Sequence, residues 1–349
     1  EAEMNCGQWP QEEGLVDTVS SFRVGRLHHG AMETHCCVAD YQPDFPALTV
    51  WTPCQSVFSV RTGIADLLEL PYHQVRVIKG AMGGSFGSKQ ENILEPLTAL
   101  AALTVKRPVK LVFSREEAML STVVRGEMEF QVHTKATPSG KVLALEVDSQ
   151  INAGAYLTNS LDYIFAMGDK LGRTYAIPCI RYHGRAVCTN TPVAGGYRSW
   201  GTAEVVAAIE HHMDQLAAAL QMDPVELRRQ NVQRPGGSHA LAGISVGNCQ
   251  LLQCLEQGAQ TFAWAEKQQI CQKQNQQQRR YRRGVGVAAG AHMNGFYPTD
   301  YEYAMAAMQL HEDGTVTANV CLHDHGCGTI TAFQKIIGEV LDLPESAIT

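Results

Sequence analysis

Between a short β-type run, Val75-Arg-Val-Ile78, and an apolar helical stretch from about Ile93 to Val105 stands the segment Met82-Gly-Gly-Ser-Phe-Gly-Ser-Lys89. Strand, glycine-rich loop and helix in this order restrict the local fold to an α/β layer with a loop at its end. Glycine lets backbone N–H groups approach a ligand closely, and a helix N-terminus favours an anion. The loop fits neither the dinucleotide pattern GxGxxG nor the phosphate-binding P-loop, because Gly83 is followed five residues later by Ser88 rather than by Gly-Lys. A purely structural turn stays open on this segment alone, although Phe86 is an unusual residue for one.

The flanking periodicities extend the pattern. Ala47–Thr52 reads as a strand, and Ser56–Leu70 carries Val57, Val60, Ile64, Leu67 and Leu68 at helical spacing before Pro71 stops it. Val109–Phe113 is a further strand, and Met128–Thr134 with Val142–Ile151 forms a hairpin around Pro138-Ser-Gly140. Arg185–Thr189 reads as a strand and Ala203–Leu220 as a long helix, and Asp223-Pro224 signals the start of another helix. Gln268–Arg283 is polar and Gln-rich, a solvated helix end and linker. A last hairpin, Tyr303–Leu310 and Thr315–Leu322 around Glu312-Asp-Gly314, precedes a helix from about Thr331. The expected class is α+β, mixed sheets with flanking helices. The expected organisation is a first subdomain over 1–240, a helical linker over 241–283 and the start of a second subdomain over 284–349.

Composition bears on partners. With 45% hydrophobic and 18% charged residues the chain is globular rather than disordered. A net charge of -7 gives no electrostatic basis for nucleic-acid binding. No apolar run reaches membrane-spanning length. The polar, acidic start, Glu1–Gln11, is not a signal peptide and reads as a cut from a longer chain. Eleven scattered cysteines lack zinc or ferredoxin spacing, which fits free thiols in a reducing cytoplasm.

Three further segments could carry chemistry. Trp51-Thr-Pro-Cys-Gln55 ends a strand in an amide side chain, and Gln55 is as readily a helix cap. In Gly195-Gly-Tyr-Arg-Ser-Trp-Gly201 two aromatics flank Arg198, whose guanidinium is a fork of donors suited to phosphate or an oxo-anion; a surface arginine in a packed loop is the plainer reading. His323-Asp-His-Gly-Cys327 crowds metal-ligand types, but neighbours in an extended segment point to opposite faces, which argues against a metal site there.

Taken in order, these segments resemble the molybdenum-cofactor region of the xanthine dehydrogenase and aldehyde oxidase family, from about Arg23 to Thr349. The ordered set is Trp-Thr-x-x-Gln, GGxFGxK, aromatic-Arg-x-aromatic-Gly before an Ala-rich helix, Arg228-Arg-Gln-Asn231, and a Gly-x-Gly loop after a hairpin. Met32-Glu-Thr34, Arg115-Glu-Glu117 and Asn152-Ala-Gly154 support it. The resemblance implies two molybdopterin-binding subdomains, the second truncated, and a molybdenum–molybdopterin cofactor, the cytosine dinucleotide form included. It implies iron–sulfur clusters and FAD on partner domains or subunits. By the same resemblance Gln55, Ser85, Phe86, Gly87, Arg198 and Cys327 bind the cofactor, with Gln55, Phe86 and Arg198 around the molybdenum. Gln90, Trp200 and Phe296 then face the substrate, two rings clamping a planar heterocycle. The family's catalytic base, a Glu in Gly-x-Gly-Glu, is expected beyond Thr349. No catalytic residue is therefore assigned within this stretch, and the stretch alone is expected to be inactive.

Departures from the family pattern narrow the substrate. Gln90 stands where xanthine-oxidising members have Glu, Ala166 where they have Arg, and Cys327 where a cofactor-binding Gln is usual. These changes point away from xanthine and toward a related heterocycle such as hypoxanthine. They equally suit a non-catalytic binding or assembly module that keeps the fold. An aldehyde oxidoreductase is a further alternative; an unrelated nucleotide-binding protein is disfavoured by the loop pattern.

Overall fold

The protein is described by a computed structural model over residues 1–43, 47–277, 280–292 and 304–349. Among the described residues the strands are β1 (Ala2–Cys6), β2 (Val16–Val24), β3 (Cys36–Gln42), β4 (Ala47–Trp51), β5 (Val75–Ile78), β6 (Val109–Val112), β7 (Met128–Ala136), β8 (Val142–Gly154), β9 (Cys179–Cys188), β10 (Ala306–Leu310) and β11 (Val316–Val320). The helices are α1 (Val57–Leu67), α2 (Glu95–Val105), α3 (Arg115–Ser121), α4 (Ser160–Thr174), α5 (Thr202–Ala219), α6 (Pro224–Asn231), α7 (Leu251–Phe262), α8 (Trp264–Gln276) and α9 (Thr329–Leu341). They form two compact units, each discontinuous in sequence.

One unit comprises Glu1–Arg26, Gly126–Ala194 and Ser199–Asn294. Its sheet runs β1-β9-β8-β7-β2, antiparallel except for the parallel β8–β9 pair. Strict alternation on β7 buries Met128, Phe130, Val132 and Thr134 and turns Glu129, Gln131 and His133 to the other face. Helices α4 and α5 cover the apolar face. Asp223 caps α6 through Val225 N–H at 2.8 Å and accepts Trp264 Nε1–H at 2.9 Å, so the polar stretch that follows begins as the ordered helix α8. Strand β9 starts at Cys179, before the expected Arg185, because pairing along β8 buries Cys179, Ile180 and Tyr182.

The other unit comprises Leu27–Arg125, Gly195–Arg198 and Gly295–Thr349. Its four-stranded sheet runs β5-β4-β3-β6, with only β4–β5 parallel. Cys37, Ala39, Leu48, Val50, Ile64, Ala99 and Ala102 fill the space between sheet, α1 and α2. Ser56 caps α1 by accepting Ser59 N–H at 3.2 Å, and Pro96 in the first turn fixes the start of α2 at Glu95 rather than Ile93. The hairpin β10–β11 turns at Gly314, and α9 begins at Thr329, two residues before the expected start. Both sheets are mixed and flanked by helices, as the α+β reading expects. Among the described residues no helix is long and apolar enough to cross a membrane, and all eleven cysteines are free.

Candidate functional site

The glycine-rich loop leaves β5 and reaches α2 through backbone conformations that few residues adopt. Gly84 (φ 101°), Phe86 (φ 56°) and Gly87 (φ 107°) all lie in the positive-φ region. For Phe86 this costs strain that the surroundings must offset. The turn leaves its ring half exposed, at 49%. A Cβ on Gly87 would meet Gly196 O at 2.2 Å, so only glycine permits the approach of the 195–198 segment. Arg198 N–H then donates to Phe86 O at 2.8 Å, joining the two motifs through their main chains.

A buried ion pair holds the loop. Lys89, its side chain 3% exposed, bonds Glu33, whose carboxylate also accepts Gly83 N–H at 3.0 Å. The lysine of GGxFGxK and the glutamate of Met32-Glu-Thr34 are thus partners, which neither motif reveals by itself. His35 donates from Nε2 to Ser88 O at 2.8 Å, and burial lowers its pKa. Thr52 donates to the buried Glu95 at 2.8 Å, fixing the end of β4 just before Gln55. Gln55 N–H donates to Lys89 O at 2.9 Å, and its side-chain oxygen accepts from Ser85 Oγ at 2.5 Å. Its Nε2 amide makes no hydrogen bond among the described residues.

The 195–198 segment has its own support. His29 Nε2 lies 2.7 Å from Gly196 O; a carbonyl only accepts, so Nε2 carries the proton. Burial, partly offset by that bond, pushes the pKa of His29 down to about 4. Its ring packs 4.5 Å from that of Tyr197, which Arg125 also overlies. Arg198 itself is exposed and has no carboxylate partner among the described residues. The side-chain oxygen of Gln90 is buried without a hydrogen-bond partner among the described residues. The His323–Cys327 segment lies near Gln55: burial lowers the pKa of His325, partly offset by the Gln55 backbone, and Lys79 Nζ donates to Asp324 O at 3.0 Å. Cys327 is exposed, and the Thr329 hydroxyl 2.9 Å away helps hold its thiol pKa below the ordinary value. No cluster of three or more metal-ligating side chains occurs among the described residues.

Gln55, Ser85, Phe86, Gly87, Gln90, Arg198 and Cys327 therefore belong to one unit. Trp200 belongs to the other, where it stacks on Tyr163 at 5.2 Å between centroids and 20° between planes. Phe296 lies outside the described residues. Glu33 and His325 lie in segments that the sequence singles out, Met32-Glu-Thr34 and His323–Cys327, but spacing gives neither the Lys89 partner of the first nor the place of the second beside Gln55; His29, which braces the 195–198 segment, has no motif signal.

Residues 12–232 match a family described as a molybdopterin cofactor-binding domain, and residues 257–349 match a second of the same description. The chain belongs to this molybdopterin cofactor-binding family. It is 33% identical over 325 residues to the xanthine dehydrogenase molybdenum-binding subunit of Escherichia coli O157:H7, covering 92% of this chain and 42% of that protein. It is 31% identical over 314 residues to the aldehyde oxidoreductase of Megalodesulfovibrio gigas, covering 90% and 34%. The solved aldehyde oxidoreductase from Desulfovibrio gigas superposes with a TM-score of 0.90 at 28% identity, covering 99% of this chain and 38% of that one. The chain thus spans less than half the length of these relatives. The expected fold class and family stand.

The residues present fit a molybdopterin cofactor. An uncommitted Gln55 amide, an exposed guanidinium at Arg198 and a glycine-rich main chain held open by Lys89–Glu33 supply donors to an oxygen- and sulfur-rich group.

Proposed function

We propose that this chain is the cofactor-holding part of a cytoplasmic molybdenum hydroxylase that oxidises a planar N-heterocycle, a purine such as hypoxanthine, with water as the oxygen source. Iron–sulfur and flavin domains or subunits are its partners, and no catalytic residue is assigned within these 349 residues. The observation that carries the reading is the convergence of Gln55, the Phe86 loop and Arg198 through direct hydrogen bonds. When bound, the molybdenum cofactor, in its plain or cytosine dinucleotide form, supplies the two-electron redox chemistry of carbon hydroxylation. Gln55 donates from its amide to the group, Phe86 and Gly87 line it, and Arg198 and Cys327 bind it. Gln90 reads a ring N–H or ring nitrogen without a charge. Trp200 and Phe296 hold the ring.

Aldehyde oxidation is a second reading. It is favoured by Tyr163 stacking on one face of Trp200, which makes Trp200 partly a packing residue, and by the similarity to aldehyde oxidoreductase. The full-length enzyme separates the two. We expect molybdenum in the purified protein, kcat/KM higher for hypoxanthine than for acetaldehyde, and loss of molybdenum with iron retained in Arg198→Ala. Faster turnover of acetaldehyde than of every purine tested would replace the first reading by the second. A full-length protein that binds the cofactor yet oxidises neither would make the chain an assembly or binding module.

A further inference from the structure

The hydrogen-bond inventory around Ser85 fixes something the motif leaves open: which way the Gln55 amide faces. Ser85 is 3% exposed, so its hydroxyl is satisfied by protein rather than by solvent. A serine hydroxyl offers one proton and two lone pairs. Gly87 N–H reaches Ser85 Oγ at 3.3 Å and Lys89 N–H reaches it at 3.2 Å, which occupies both lone pairs. The proton is left, and the remaining neighbour is the Gln55 side chain at 2.5 Å. That separation suits O–H···O and is too short for N–H···O. Were the amide reversed, its NH2 would face an oxygen with no free lone pair and the hydroxyl proton would have no acceptor.

We propose that Ser85 is a positioning residue: its hydroxyl pins the Gln55 carbonyl and thereby presents the amide NH2, as a donor only, to an oxygen or sulfur acceptor on the molybdenum group. The backbone of Gln55 is already held by its N–H bond to Lys89 O at 2.9 Å, so the side-chain torsions are its main remaining freedom and Ser85 restricts them. The glycine turn contributes to the device directly, because the positive φ of Phe86 and Gly87 curls their successors back so that Gly87 and Lys89 N–H both point at one oxygen. This rests on the cofactor reading above in naming what the amide faces, but not in how the amide is held.

The test uses the full-length enzyme with Ser85→Ala, Ser85→Thr, Gln55→Ala and the Ser85→Ala/Gln55→Ala double variant. Loss of the pinning bond should lower kcat about tenfold, with KM and molybdenum content changed by less than about twofold, and Ser85→Thr should restore most of it. The double variant should be no slower than Gln55→Ala, since Ser85 acts through that amide. Effects that multiply in the double variant, or a molybdenum content that falls in Ser85→Ala but not in Gln55→Ala, would overturn the proposal. Ser85→Cys, which keeps the volume and weakens the donor, serves if Ser85→Ala does not fold. A crystal structure of molybdenum-free Ser85→Ala or Ser85→Cys protein gives a readout independent of the metal: Gln55 should rotate or split into several rotamers. An unchanged Gln55 sinks the idea even in a protein that never binds molybdenum, whereas absence of molybdenum from the wild type sinks only the functional reading.

Discussion

The two units solve the same problem, holding irregular chain in place, with a different balance of side-chain charge and main-chain shape. In the unit built on the five-stranded sheet, side-chain charge does it. Arg228, with its side chain fully buried, bonds Glu210 Oε2 at 2.8 Å, Asp214 at 2.8 Å and the Glu210 backbone carbonyl at 3.0 Å. Glu210 in turn accepts from Tyr175 and from Ala289 N–H. In the unit built on the four-stranded sheet, a single ion pair, Lys89–Glu33, braces a loop whose path is set chiefly by main-chain shape, with three positive-φ residues and a glycine contact that no Cβ could occupy. A charge network can be replaced by matched apolar groups, because its members are costly to separate rather than costly to remove together. A backbone approach has no such substitute. The difference predicts which unit tolerates sequence drift and which carries its function in a few glycines.

Breaking the network one member at a time should produce the largest effect. Arg228→Ala leaves Glu210 buried without its cation and should cost about 3–5 kcal/mol. Arg228→Met with Glu210→Leu should recover most of that in a denaturant titration. If the double variant is as unstable as Arg228→Ala, the network is irreplaceable and the contrast between the units fails. Gly87→Ala should cost somewhat less, about 3 kcal/mol from positive-φ strain and the clash with Gly196 O. Here no second substitution at Gly196 or Tyr197 should rescue stability or molybdenum content, because the obstacle is backbone. Rescue by any side-chain change would show that the close approach of Gly87 to Gly196 is not set by the backbone.

Much of this was legible in the sequence because the motifs are local. GGxFGxK announces its own turn, and the contacts of Gln55 with Ser85 and of Arg198 with Phe86 join motifs that the sequence already marks. What stayed hidden is what depends on partners distant in sequence. Helix α4 has a weak signal in the sequence because Gly168 and Gly172 lower its helical propensity; Gly168 is needed where a Cβ would meet Tyr182 at 2.6 Å. The Arg228-Arg-Gln-Asn231 signature served only to mark the family, yet both its ends are structural. Asn231 bonds Val142 N–H, Gly140 O and Leu227 O, sealing the turn between β7 and β8. Gln90, matched to a substrate-binding position, has a buried side-chain oxygen without a protein partner among the described residues, a state that sequence cannot express.

Acid should separate the two units by the smallest margin. His212 is fully buried between Ser20 Oγ and Thr134 Oγ1, each at 2.8 Å, and burial pushes its pKa down to about 4. His29 reaches about 4 for the same chief reason in the other unit. Both are neutral when folded and bind a proton more readily when unfolded. Their contribution is therefore complete above pH 6.5 and is lost as pH falls from 6.5 toward 4. Linkage gives a loss of up to about 2 kcal/mol per histidine by pH 5. The two units are not equally exposed to this. His35, His323 and His325 are also lowered in the unit that carries the glycine loop, whereas among the described residues of the other only His292 joins His212. Hydrogen exchange between pH 6.5 and 4.5 should thus show β3, β4 and α2 losing protection before β7 and β8. Replacing His29 by Gln should delay that loss and replacing His212 by Gln should not. Simultaneous loss in both units, unaltered by either substitution, would mean that carboxylate protonation, acting on pairs such as Arg228–Glu210 and Lys89–Glu33 alike, governs acid unfolding instead.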